Sequence, residues 1–269
     1  MNLIKDKSFI FIIGAPRSGT TWLQTMLGSH PLVCTTIENT LYDRYIGPWV
    51  QAWDFEVEND HRPGLPMYWS DDEFYDFLRL FLNRIYERIL ANKPDATHLL
   101  DKRPANSEHV DVINTLLPNP LFIHLVRDGR DAAVSMMAAA RDLWFVTDTI
   151  EKAATKWKEK VLQSRQAQKF EGRYLEVRYE DLLTNGVETM KQVFEFCGLP
   201  LTDSEVAALV EEHTFAKMKA SLKSPVAGIP LPEAFYRKGQ VGTWQEELTS
   251  EQKERFDQIA GGLLRELGY

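Results

Sequence analysis

Gly14-Ala15-Pro16-Arg17-Ser18-Gly19-Thr20-Thr21 packs three hydroxyl side chains, two glycines and an arginine into eight residues. Backbone N–H groups of such a turn, joined by the positive end of a following helix, attract a phosphate. The stretch departs from the nucleoside-triphosphate pattern G-x-x-x-x-G-K-[ST], because Thr20 stands at the lysine position and the cation comes earlier, as Arg17. A triphosphate enzyme would lose the lysine that reaches its β- and γ-phosphates. ATP hydrolysis or transfer is therefore disfavoured, while a phosphate held beside a different transferable group fits.

The elements that must position this loop can be read on either side of it. Ser8 to Ile13 is β-branched and aromatic and ends at a glycine, and the pattern from Thr21 to Leu27 is helical, giving strand, tight turn and helix. Leu121 to Val126 repeats that order through Arg127-Asp128-Gly129 into Ala132, Val134, Met137 and Ala138. Tyr174 to Val177 leads into Tyr179-Glu180-Asp181-Leu182-Leu183, and His98 to Leu100 predicts a further strand before a helix over Ser107 to Leu117. Strands alternating with helices predict an α/β fold, a parallel sheet covered on both faces. Val187, Met190, Val193 and Phe194 share one helical face, stopped by Gly198 and Pro200. Thr202 with Glu205 forms a capping box for the next helix, and Phe256, Ile259, Ala260, Leu263, Leu264 and Leu267 mark a terminal amphipathic helix.

Two stretches break this rhythm. Residues 42–81 are crowded with aromatics, among them Trp49, Trp53, Phe55, Tyr68, Trp69, Phe74 and Tyr75, and are expected as an irregular insertion. Residues 221–244 hold Pro225, Gly228, Pro230, Pro232 and Arg237-Lys238-Gly239 and are expected as a lid-like loop. The aromatics serve equally as stacking faces for an acceptor or as a satellite core.

Composition bounds the rest. With 44% hydrophobic and 26% charged residues the chain is ordinary globular protein, and it is expected to form a single domain over 1–269. A formal net charge of −8 argues against nucleic acid or an anionic membrane as partner, so an anionic ligand needs a local basic site. Two cysteines, Cys34 and Cys197, make neither a disulfide framework nor a zinc site and fit a reduced, cytoplasmic protein. No window approaches the length of a membrane span, and no metal is expected. Oligomeric state is not set by these features.

Pro16-Arg17-Ser18-Gly19-Thr20-Thr21-Trp22 resembles the 5′-phosphosulfate loop of the sulfotransferases that use 3′-phosphoadenosine 5′-phosphosulfate (PAPS), releasing 3′-phosphoadenosine 5′-phosphate (PAP). Val126-Arg127-Asp128-Gly129-Arg130-Asp131 followed by Ser135 is similar to their 3′-phosphate segment. Arg178-Tyr179-Glu180-Asp181-Leu182, His213-Thr214-Phe215 with Met218, and Arg237-Lys238-Gly239 with Gly242 and Trp244 resemble three further segments in the same order. The resemblance runs from residue 8 to about 244 and implies a three-layer, P-loop-like α/β fold. It implies that Arg17, Ser18, Gly19, Thr20 and Thr21 hold the 5′-phosphosulfate, with Arg17 neutralising charge on the bridging oxygen. Arg127 and Ser135 would hold the 3′-phosphate, with Arg237, Lys238 and Gly239 closing over it. Trp22 and Phe215 would sandwich the adenine, with Tyr179 at its edge. A sulfonate carries less charge than a terminal phosphate, so protein cations and N–H donors can serve without Mg²⁺. Arg130 and Asp131 are left as an exposed first helical turn.

Transfer to a hydroxyl needs a base for its proton, and Glu38, His98, His109, His124 and Lys102 are the candidates. His124 falls mid-strand and reads as a core histidine. The cytosolic branch of the family has a K-T-H segment, whereas this chain has Lys102-Arg103-Pro104. The tyrosylprotein branch and many bacterial relatives instead have a Glu after the first helix, following a His-Pro turn, a form matched by His30-Pro31 through Glu38. The resemblance thus implies Glu38 as base, with His109 second, and Lys102 stabilising the transferring sulfonate or leaving phosphate. The function expected is metal-independent, in-line sulfonate transfer from PAPS to a small-molecule alcohol or phenol. A P-loop small-molecule kinase, or a catalytically inactive nucleotide-binding interaction protein, is the alternative.

Overall fold

The computed structural model describes residues 6–35, 38–59, 63–140, 147–221 and 237–269. Residues 222–236, the body of the expected lid, lie outside these, as do Thr36 and Ile37.

Short β-branched and aromatic runs become strands because both faces of each are covered. β1 (Ser8–Ile13), β2 (Val33–Thr35), β3 (His98–Lys102), β4 (Leu121–Val126) and β5 (Tyr174–Arg178) form one sheet in the order β2-β3-β1-β4-β5. All four pairings are parallel, with Ile12 opposite Lys102, Ile13 opposite His124 and Val126 opposite Arg178. Side chains alternate along β1. Ile10 and Ile12 pack with Leu23, Met26 and Leu27 of α1 (Thr20–Gly28) and with Met190, Val193 and Phe194 on one side. Phe9, Phe11 and Ile13 face Tyr42, Leu78, Leu82 and Tyr86 on the other. A third apolar cluster extends that second face beyond β4, joining Val126 to Ala132, Trp157, Phe256 and Leu264. The sheet between two helical layers is the three-layer α/β architecture expected.

The described part of the 42–81 stretch is largely helical rather than irregular. A π-helical turn at Leu41–Ile46 runs into α2 (Gly47–Glu58), and α3 (Asp71–Leu90) starts at a Ser70/Glu73 capping box. Phe74, Leu78 and Leu82 recur at helical spacing and are buried, so the aromatic content that suggested a binding loop is partly helix core. After β3 the chain makes a 3₁₀ segment, Pro104–His109, with Pro104 at its first position, before α4 (Val110–Leu116). β4 leads to α5 (Gly129–Ala139), then α6 (Ile150–Arg165), whose Ala153, Ala154, Trp157 and Val161 pack inward. β5 leads to α7 (Tyr179–Thr184) and α8 (Gly186–Phe196). Gly198, at φ 67, ends α8, and the Thr202/Glu205 capping box opens α9 (Asp203–Glu212) as the spacing predicts. α10 (Phe215–Ser221), α11 (Trp244–Glu247) and α12 (Ser250–Glu266) complete the described elements.

Candidate active site

β1 pairs with β3 on one side and β4 on the other, so chain direction across the sheet reverses there and the carboxyl ends of the central strands splay around a crevice. The candidate residues leave those ends: Arg17 to Thr21 after β1, Glu38 after β2, Lys102 at the end of β3, Arg127 after β4 and Tyr179 after β5. They surround a cleft of about 450 Å³.

The loop after β1 is held in a conformation most residues avoid. Arg17 has φ 69 and Gly19 has φ 91, and a Cβ on Gly19 would stand 2.6 Å from the Tyr179 ring. Glycine is required there on both counts. Thr20 and Thr21 open α1, where free N–H groups and the helix dipole face the same end. Ser18 is fully buried and its Oγ has no hydrogen-bond partner among the described residues.

The loop after β4 locks onto this one. Arg127 donates from one guanidinium nitrogen to the Arg17 carbonyl at 3.0 Å and from the other to the Gln240 carbonyl at 2.9 Å. Its guanidinium lies 4.3 Å from the Tyr179 ring centroid, while its buried Nε has no partner among the described residues. Arg17 Nε donates to Ser135 Oγ at 3.0 Å. The two segments expected to serve opposite ends of a nucleotide thus meet at Arg17, whose carbonyl accepts from Arg127 and whose side chain donates to Ser135.

Lys102 is almost wholly buried and reaches Thr21 Oγ1 at 3.0 Å, and its ammonium also donates to the partly exposed Glu38 carboxylate. Arg103 stands 3.9 Å from the same carboxylate and donates to Asp43 at 2.9 Å. A chain of contacts therefore runs from the phosphate-type loop through Lys102 and Glu38 to the far side of the cleft. Glu38 is anchored from behind: Asn39 donates to the fully buried Asp101 at 2.7 Å, and Asn106 donates to its other oxygen at 3.4 Å. Burial pushes the Asp101 carboxyl up to about 6.

The cleft is lined by Arg17, Gly19, Thr20, Thr21, Trp22, Glu38, Arg127, Ser135, Tyr179, Phe215, Arg237, Lys238 and Gly239, so the sequence-derived candidates are largely brought together. Ser18 and Lys102 are buried behind the wall. His109 is buried too, close enough to Gly47 that a Cβ there would be 2.4 Å from its Cε1, and is not among the lining residues. Burial lowers the His109 pKa. His98 bonds to the Cys197 carbonyl at 3.0 Å, and His124 is buried against Tyr174 and Glu176, a core histidine as expected. Trp22 donates from its indole nitrogen to the His213 carbonyl at 2.6 Å. Arg237 and Lys238 line the cleft while sharing Glu247 as counter-ion.

Asp131 corrects the expectation of an exposed turn. It is fully buried and accepts from Gly242 N, Thr243 Oγ1 and Trp244 N at 2.7 to 3.0 Å, tying the segment after Arg237 to α5. Arg130 is held by Asp128 and stacks 3.7 Å from the Trp244 ring centroid. Sequence reasoning missed Asp43, Arg44, Arg103, Glu108, Lys156 and Lys160, which line the other end of the cleft. They come from separate segments, and each alone reads as a solvated charge.

The sulfotransferase family model matches residues 9–203, and the chain belongs to that family. Protein-tyrosine sulfotransferase 2 of Gallus gallus is 29% identical over 204 residues, covering 74% of this chain and 53% of the relative. Protein-tyrosine sulfotransferase 1 of Danio rerio is also 29% identical over 204 residues, covering 74% and 56%. The chain spans about half the length of these relatives. The mouse sulfotransferase SULT7A1, solved complexed with PAP, has a similar fold at a TM-score of 0.63 and 19% identity, covering 100% of this chain and 94% of that one. No helix among the described residues is long and apolar enough to cross a membrane.

Proposed function

We propose that this chain is a single-domain, PAPS-dependent sulfotransferase that transfers sulfonate to the hydroxyl of a small molecule. The observation that carries the reading is the convergence, in one cleft, of the loop after β1, the Arg127–Ser135 segment and the Lys102–Glu38 pair. The residues suit a nucleotide with two anionic ends. Ser18 Oγ and Arg127 Nε are buried donors without partners among the described residues, and the N-terminus of α1 adds N–H groups.

PAPS supplies an activated sulfonate, whose S–O bond to the 5′-phosphate breaks as the acceptor oxygen bonds to sulfur. Glu38 takes the hydroxyl proton. Lys102, fixed by Thr21, holds the Glu38 carboxylate at the loop and places a positive charge where the transferring group passes. Arg17 lies beside Ser135 on the cleft wall and offsets charge on the leaving side. Trp22, Phe215 and Tyr179 give the same wall its aromatic faces, suited to a purine. Thr20 in place of the P-loop lysine weighs against a kinase. A reducing, cytoplasmic setting belongs to this reading, supported by Cys34 and Cys197, which are buried and unpaired.

The test is cofactor discrimination by variants. Arg127→Ala is expected to weaken PAP binding about 10- to 100-fold, the range of a charge-assisted contact, and to weaken binding of adenosine 5′-monophosphate far less. Ser135→Ala follows the same pattern with a smaller loss. Equal losses for both ligands contradict the assignment of the 3′-phosphate.

A further inference from the structure

Exposed apolar side chains are not spread evenly over the molecule. Of the twelve large ones among the described residues, nine fall between Tyr45 and Leu80, on α2, α3 and the stretches beside them. Ring contacts join the centre of this patch: Tyr45 meets Trp49, Trp49 meets Phe77 and Phe81, and Trp69 meets Phe77, with centroids 5.3 to 6.3 Å apart. Trp49 is 37%, Phe77 42% and Leu80 56% exposed. Single apolar residues are ordinary on a protein surface, whereas a connected patch marks an interaction site.

The charges of α3 indicate what the patch fits. Asp72, Asp76, Leu80, Arg84 and Arg88 are all exposed and recur at every fourth position, so they form one ridge along the helix. The ridge is acidic at its start, apolar at its centre and basic at its end. Asp76 and Arg84 lie four residues to either side of Leu80, and Asp72 and Arg88 lie eight, so the ridge complements itself on reversal. A second α3 laid antiparallel across Leu80 sets Asp76 opposite Arg84 of the other copy, with Asp72 and Arg88 further out in the same sense. Two-fold symmetry makes each match twice. Within the chain these charges are held loosely, Asp76 by Arg79 and Arg84 by Glu87, in solvent-accessible pairs three residues apart. An anionic lipid surface would instead meet Asp72 and Asp76 on a chain of net charge −8.

We propose that this face is an interface between two copies of the chain, packed antiparallel along α3 about a two-fold axis at Leu80. The aromatic patch supplies the buried centre, and the charged ends of the ridge set the orientation.

Sedimentation equilibrium of the intact chain, over a micromolar concentration series, tests this. A species of about twice 31.0 kDa is expected. Leu80→Glu sets two carboxylates against each other at the axis and is expected to raise the dimer Kd about 100-fold or more. Asp76→Arg and Arg84→Asp each place like charges opposite one another and are expected to raise it about 10-fold or more. Mixing these two variants restores opposite charges at both contacts, so the mixture is expected to dimerise about as tightly as the native chain although neither variant does so alone. Thermal unfolding with and without PAP, unchanged in all three variants, shows that fold and cleft are intact. All three positions are exposed, and the two charge variants carry the test if Leu80→Glu folds poorly. A monomer throughout the series, a dimer indifferent to Leu80→Glu, or a variant mixture no tighter than its components would overturn the inference. Binding of the monomer to phosphatidylcholine vesicles, abolished by Leu80→Glu, would overturn it too by assigning the patch to a lipid surface.

Discussion

Glu38 and Lys102 form the pair on which the proposed chemistry turns. One is partly exposed and the other buried, so the carboxylate reaches the cleft while its partner stays fixed behind the wall. Replacing Glu38 by Gln keeps the size and removes the proton acceptor. Steady-state assays should show kcat lowered by about 10²-fold or more with PAP affinity nearly unchanged, because the group acts only in the transition state. His109→Ala should change turnover far less, since His109 does not line the cleft. Normal turnover in Glu38→Gln together with loss in His109→Ala would transfer the role of base to the histidine. Asp101 carries a separate prediction. Its ordinary pKa of 3.8 is pushed up to about 6 by burial, so the folded chain retains a proton that the unfolded chain loses. Stability from this group therefore falls as pH rises from about 4 to about 6 and is level above that. Buried histidines such as His124, with lowered pKa, give the opposite slope, so the comparison must be with a variant. Denaturant unfolding of Asp101→Asn across this window should lack the Asp101 contribution; an unchanged pH profile would show that the carboxyl titrates normally.

At the scale of elements, strand ends place the chemistry and tight turns hold it. Gly19→Ala meets both a positive φ and the Tyr179 ring, so it should lower the melting temperature and weaken PAP binding together. Asp131→Ala strips three hydrogen bonds from the Gly242–Trp244 turn and leaves buried donors unmatched. A loss of about 3 kcal/mol in unfolding free energy and weaker PAP binding are expected, because that turn follows Arg237 and Lys238. β1, β4 and β5 were legible in the sequence because strands covered on both faces read as short apolar runs. β2 was not, because only Val33–Thr35 pair and three residues carry no period. The loop residues were legible because they are contiguous with strands, whereas Asp43, Arg44, Arg103, Lys156 and Lys160 meet only after folding. α6 hid its inward face in alanines, whose small apolar signal is diluted by neighbouring lysines. The Tyr42–Phe81 stretch was misread because prolines and aromatics mask the helical spacing of Phe74, Leu78 and Leu82.

Across the whole molecule, three apolar clusters grip the sheet from both sides and leave the carboxyl ends of its strands as the face where the functional loops gather. A net charge of −8 surrounds a cleft whose wall includes Arg17, Arg127, Arg237 and Lys238, so anion binding is local and should weaken with salt. The central claim is that this cleft is made for a 3′-phosphorylated adenine nucleotide. The most direct measurement is thermal unfolding of the intact chain with PAP, without added metal, beside ATP with Mg²⁺. PAP at a hundredfold excess over its Kd should stabilise the fold by about 2.7 kcal/mol, with ATP and Mg²⁺ giving much less. Equal or greater stabilisation by ATP and Mg²⁺, with none by PAP, would contradict the account.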